Sequence, residues 1–147
     1  MRLFLCYACP MNRIYSMLLP FAAVLCFWSC ASANVAIPYT LSPAEIIQRA
    51  QEASDRNHYG AALQYYQALL ERNMTQMDLV CTAEYEIAFI YYKQGNFTFA
   101  RERLSALLER FEAPDGEYLP QQFKVLARIV LDRIDEKENA SRSLFHR

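Results

Sequence analysis

The chain of 147 residues carries 15 Lys and Arg against 16 Asp and Glu, a formal charge of −1, which excludes the strongly cationic footprint of a nucleic-acid binder. Its 3 glycines are few for a protein of tight hairpins or phosphate-cradling loops, since both require positive φ or close backbone approach. The 54 % hydrophobic content is unevenly spread. Arg2 and Arg13 are the only charged residues before Glu45, so the chain beyond Ala33 has a formal charge of −3.

Residues 1–33 read as an export signal. Arg13 precedes an uncharged run from Ile14 to Ser29, and the small residues Ala31-Ser32-Ala33 follow it, the order of a secretory signal. Pro20 interrupts the run, which is short for a membrane span. Met11 is an alternative start, because Met11-Asn12-Arg13 makes a sufficient charged region by itself. Two endings compete. Cleavage after Ala33 would release a secreted protein. Lipidation of Cys30, behind Ser29, would anchor the protein to a membrane of the cell envelope, facing the periplasm. Four of the 5 cysteines (Cys6, Cys9, Cys26, Cys30) lie in or before this segment, and Cys81 alone remains beyond it. The exported part is therefore expected to be held by packing, without an internal disulfide, and Cys81 to be a buried small hydrophobe.

Residues 34–41 read as a tether containing Pro38, and 42–137 as the helical domain. Ser42-Pro43-Ala44-Glu45 supplies a capping serine, a first-turn proline and a glutamate at the third position, a capping box. A first helix follows to about Asn57, and His58-Tyr59-Gly60 turns the chain into a second, running to about Arg72. Thr75 or Asp78 caps a third helix that ends at about Gln94, where Gly95 suits a left-handed terminus. Asn96 opens a fourth, which reaches about Glu112. Ala113-Pro114-Asp115-Gly116 breaks the chain. A fifth helix is expected from about Glu117 to Glu136, followed by a polar tail over 138–147.

The sequence repeats itself. Ala50, Ala88 and Ala127 occupy matching places in the first, third and fifth helices, 38 and 39 residues apart. Tyr59 and Phe97 each open a second helix, with Ala62 and Ala100 three residues on and Tyr66 and Leu104 seven residues on. Small residues at fixed places allow helices to approach closely, and fixed periods mark repeat architectures.

Ile87, Ala88 and Tyr91, followed by Phe97, Ala100, Leu104 and Leu107, resemble the centre of a tetratricopeptide repeat. Ala50, Tyr59, Ala62, Tyr66 and Leu69 match it in the first unit, and Phe123, Leu126, Ala127 and Val130 begin a third. The apolar side Phe123, Leu126, Val130 and Ile134 of the fifth helix is expected to cap the second repeat. The resemblance spans about residues 43–136. It departs where Glu84 and Arg49 take large apolar positions, and its period exceeds the usual 34 or so residues. Longer repeats of this kind occur in bacterial envelope lipoproteins, and the chain is similar to the N-terminal part of the outer-membrane assembly lipoproteins of the BamD type. The resemblance implies an all-α fold, with antiparallel helix pairs stacked as a short superhelix of two repeats and a capping helix. It also implies a scaffold that binds another exported protein.

No residue pattern suggests catalysis. His58 and His146 lack nearby metal-ligating partners, Glu84 and Glu86 lie two apart and face different ways, and Cys81 has no adjacent His or Lys. No catalytic residue, cofactor, metal or nucleic acid is expected. Tyr85, Phe89 and Tyr92 recur at helical spacing on one stripe of the third helix. The resemblance places that stripe on the concave face, with Lys93 beside it, Ile47, Gln51 and Ser54 on the first helix and Lys124, Arg128 and Leu131 on the fifth. Two readings stay open. Tyr85, Phe89, Tyr92, Lys93 and Arg128 form a partner-binding groove, or the aromatic stripe packs against neighbouring helices of a short array. The alternative function is an accessory subunit of an envelope transport or outer-membrane assembly complex, acting as an oligomer. Self-association would also cover the uncapped first helix pair.

Overall fold

The structure is a computed structural model and describes residues 34–145. Residues 1–33, expected to be an export signal and containing Cys30, lie outside the described residues, as does His146. The described part is all-α: α1 (Pro43–Asp55), α2 (Tyr59–Arg72), α3 (Met77–Lys93), α4 (Phe97–Glu112), a 3₁₀ turn (Gly116–Tyr118) and α5 (Gln122–Phe145). Consecutive helices are joined by short turns and run antiparallel. α1 pairs with α2 and α3 with α4, α2 packs on α3, and α5 lies on α4 and more lightly on α3.

Local chemistry sets the helix ends. Ser42 and Glu45 form the predicted capping box: the Glu45 N–H donates to Ser42 Oγ at 3.3 Å and the Ser42 N–H donates to Glu45 Oε2 at 2.8 Å. The ends of α1 and α3 are the same turn made twice. His58 N–H donates to the Ala53 carbonyl at 2.8 Å and Asn57 N–H to that of Ser54 at 3.0 Å. Asn96 N–H donates to the Tyr91 carbonyl at 2.9 Å and Gly95 N–H to that of Tyr92 at 3.0 Å. Each pair of bonds is a Schellman closure, with Asn57 and Gly95 in the left-handed position.

α3 is buried on two sides. Ala83, Ile87 and Ile90 join Ile46, Ala50, Ala62, Tyr66 and Leu69 in one core. Cys81, Tyr85 and Ala88 join Ala100, Leu104, Leu107 and the Phe123, Ala127, Val130, Ile134 face of α5 in a second. Ala50, Ala62, Ala88 and Ala100 are fully buried, where a larger side chain would push the paired helices apart. α1 shows polar residues, Glu45, Arg49 and Glu52, 38 residues before the Ala83–Ile87–Ile90 face. Among the described residues no helix packs on that side of α1, so Arg49 stays exposed at the position that Ile87 fills in α3.

Several sequence expectations are corrected. Neither Thr75 nor Asp78 caps α3; Gln76 stands at that place without a side-chain bond. α5 begins at Gln122 rather than Glu117. Pro120 favours extended backbone at Leu119 (ψ 155°), and Gly116–Tyr118 closes a separate 3₁₀ turn. The tail over 138–147 is helical as far as Phe145, because Arg101 of α4 holds Asp135 at 2.7 Å and Glu138 at 3.0 Å and no Gly or Pro interrupts. The tether 34–41 is docked on α2: Val35 N–H donates to Gln64 Oε1 at 2.7 Å, and Arg72 donates to the Ile37 and Pro38 carbonyls at 2.8 and 3.0 Å.

The register of α5 also differs from expectation. Phe123, Ala127 and Val130 lie 40 residues after Ala83, Ile87 and Ile90, and like them form the face that packs back on the preceding pair. Ala127 therefore does the work of Ile87, not of Ala88. One residue of shift turns a helix by about 100°. Leu126, expected in the core, is accordingly 38 % exposed.

Candidate functional site

The aromatic stripe on α3 forms the middle of a ladder. Ring centroids run from Phe123 to Tyr85 (5.6 Å), Tyr85 to Phe89 (5.8 Å), Phe89 to Tyr92 (5.7 Å) and Tyr92 to Phe97 (5.9 Å). The i, i+4 and i+3 steps within α3 bring Tyr85, Phe89 and Tyr92 together. α5 supplies the ring at one end and the start of α4 the ring at the other. Ring contacts at these separations are favourable beyond the area they bury. Tyr85 is buried against Phe123, while Phe89, Tyr92 and Phe97 keep part of their surface in solvent.

Cations sit on the exposed rungs. The Lys93 ammonium lies 5.3 Å from the Phe89 centroid, and Lys137 of α5 lies 4.7 Å from Tyr92 and 5.6 Å from Phe97. Arg133, one turn before Lys137, is close enough to oppose the upward push that burial and Glu86 give the Tyr85 hydroxyl pKa. The basic edge expected from α5 is therefore made by Arg133 and Lys137. Arg128 is not part of it: it faces Glu112 of α4 at 3.8 Å, beside Lys124, which holds the same carboxylate at 3.0 Å. Residues 128 and 137 are nine apart, about 180° around a helix. Sequence reading missed Lys137 because it ended the helix at Glu136, whereas α5 continues to Phe145.

Between α1 and α3 a cleft of about 260 Å³ is lined by Gln51, Ser54, Asp55, Glu86, Phe89 and Lys93. Gln51 and Ser54 are two of the α1 residues expected to face the groove. Ile47 packs into the first core and Leu131 into the second. Lys93 Nζ donates to Ser54 Oγ at 3.0 Å across the cleft. Burial pushes the Glu86 pKa up, Asp55 adds to the push, and Lys93 opposes it. Glu84 and Glu86 do face opposite ways: Glu84 accepts from Arg110 of α4 at 2.7 Å, and its other carboxylate oxygen is buried without a partner. Cys81 is fully buried, which raises its thiol pKa. Among the described residues, no three His, Cys, Asp or Glu side chains converge to hold a metal ion.

No family model matches the sequence, and no solved structure matches it. The chain is similar to an uncharacterized protein of Treponema pallidum (strain Nichols), with 33 % identity over 124 residues, covering 83 % of this chain and 48 % of that protein. The chain thus spans about half the length of this relative.

Proposed function

We propose that the protein is an exported scaffold of the tetratricopeptide kind that holds a segment of another envelope or secreted protein along α3. One observation carries the reading: the rings of Phe89, Tyr92 and Phe97 form a continuous, partly exposed row with Lys93 and Lys137 on their faces. Partly buried aromatic rows flanked by charge suit protein recognition, where large rigid rings provide contact area at low entropic cost. The repeat reading is supported by the turn that recurs at a 38-residue offset with the same hydrogen bonds. The proposal includes a lipid anchor at Cys30, supported by the residues around it and tested by fatty-acid labelling of the wild type and Cys30→Ala.

The binding test is a crosslinked pull-down of the full-length protein from its native envelope, beside a Phe89→Ala/Tyr92→Ala double variant. Tyr85 is left intact because it closes the second core. Loss of a membrane or periplasmic partner, with helicity unchanged by circular dichroism, supports the scaffold. Recovery of the same partners by both proteins sinks it. Buried aromatic anchors contribute about 2 kcal/mol or more each, so the double variant should weaken capture by at least about 100-fold.

A further inference from the structure

We infer that the cleft between α1 and α3 receives one cationic side chain, an arginine of the bound segment, set between the Glu86 and Asp55 carboxylates with its guanidinium against Phe89. The inference rests on the scaffold reading and gives its partner a chemistry.

The polar groups around this cleft are short of donors. Glu86 is half-buried, and neither it nor Asp55 makes a hydrogen bond or ion pair with any described residue. Lys93 is the one cation among the lining residues. It already donates to Ser54 and stands over the Phe89 ring, so two carboxylates share one committed ammonium. The Tyr66 hydroxyl of α2, which does not line the cleft, sits on a fully buried side chain with no hydrogen-bond partner. It is near enough to Glu86 and Asp55 that both, after burial itself, push its pKa upward. A buried hydroxyl without a partner carries a desolvation cost, and the partial burial of the Glu86 carboxylate adds a smaller one.

The missing component is therefore a donor bearing positive charge. Guanidinium fits best: it has five N–H donors and no acceptor, its planar fork can meet Glu86 in two parallel bonds and reach Asp55 with the remainder, and its face stacks on aromatic rings. An acidic side chain would meet the two carboxylates. An apolar one would leave Glu86 as it is. The volume of about 260 Å³ admits one long side chain, and Phe89, which lines the cleft and stacks on Tyr92 at 5.7 Å, joins it to the aromatic row where the rest of the segment would lie.

The test is amide NMR titration of the full chain in detergent micelles with N-acetyl-arginine amide, using N-acetyl-citrulline amide as the uncharged analogue of the same shape. Saturable shifts are expected at Gln51, Ser54, Asp55, Glu86, Phe89 and Lys93, absent with citrulline and weakened about tenfold in Glu86→Gln, the worth of one charge-assisted hydrogen bond. Shifts that are unsaturable, spread over the surface, equal for citrulline or unchanged in Glu86→Gln overturn the site. Glu86→Gln removes no bond present in the fold and should keep its helicity. If it does not, Asp55→Asn carries the same comparison. Tyr92→Ala separates the two readings, because Tyr92 does not line the cleft. Partner capture that needs Tyr92, without an arginine response, sinks the cleft and spares the groove. An arginine response with partner capture indifferent to Tyr92 overturns a protein side chain as the occupant.

Discussion

Asn57 and Gly95 stand 38 residues apart and hold the same left-handed backbone, at φ 61° and 75°. Each receives its helix into the same Schellman closure, but the two residues meet the conformational demand differently. Gly95 has no Cβ, whereas Asn57 tolerates the region and its side-chain oxygen accepts from the Tyr59 hydroxyl at 2.7 Å. A Cβ at Gly95 would touch nothing within 4 Å. Gly95→Ala is therefore expected to cost only the backbone term, about 1 kcal/mol, in urea unfolding. Gly95→Asn should cost less. Equal, larger losses in both would mean that the glycine is kept for space.

Gly116 is the opposite case. A Cβ there would collide with the backbone of Phe111, including its carbonyl, so the close return of the chain after α4 requires glycine. Gly116→Ala should destabilise by more than about 2 kcal/mol, as a steric insertion against backbone that cannot yield. An unfolding midpoint close to that of the wild type would contradict the tight turn.

Within the aromatic ladder the rungs differ in burial, which predicts different losses. Tyr85→Ala should cost about 3–4 kcal/mol, a large-to-small change in a packed core. Phe89→Ala keeps one side in solvent and should cost no more than about half of that. Thermal melts of the two variants decide it. An equal loss would make the whole stripe structural and remove the basis for a groove.

Glu86 gives the protein a pH signature. Its folded pKa lies above the ordinary carboxylate value of 4.5 because burial disfavours the charge. The folded state then binds a proton more tightly than the unfolded chain does. The stability this contributes is full below 4.5 and is lost as pH rises through the raised folded value. Glu45 and Glu112 run the other way. The Ser42 hydrogen bonds and the Lys124 ammonium hold them below 4.5, so their contribution is lost as pH falls. Glu86→Gln should therefore raise the melting temperature at pH 7 relative to the wild type, with the gap shrinking toward pH 4. A gap independent of pH would show that Glu86 is solvated.

The buried phenol at Tyr66 predicts an unusual core substitution. Its hydroxyl has no partner, so Tyr66→Phe should be neutral or stabilise by up to about 1 kcal/mol in urea unfolding, against the usual loss for a core change. A clear loss of stability would mean that the hydroxyl is already satisfied in the folded protein.

The helices and most of their ends were legible in the sequence, because what sets them is local. Ser42 and Glu45 are three residues apart, Gly95 and Asn96 are adjacent, and Ala50, Ala62, Ala88 and Ala100 recur at fixed intervals; each acts within a turn or two of its own chain. The stripe of Tyr85, Phe89 and Tyr92 was legible for the same reason. Phe123, Val130 and Ile134 were legible on the apolar side of α5 in the same way. Only the tertiary structure decided which rungs stay open, that Ala127 rather than Leu126 completes that face, and that Lys137 rather than Arg128 reaches the rings. It also decided that Glu86 and Asp55 line one cleft with Lys93. Those outcomes depend on how far each helix is rotated about its axis when the cores close. A shift of one residue, about 100°, leaves the local sequence signals unchanged and exchanges which side chains meet.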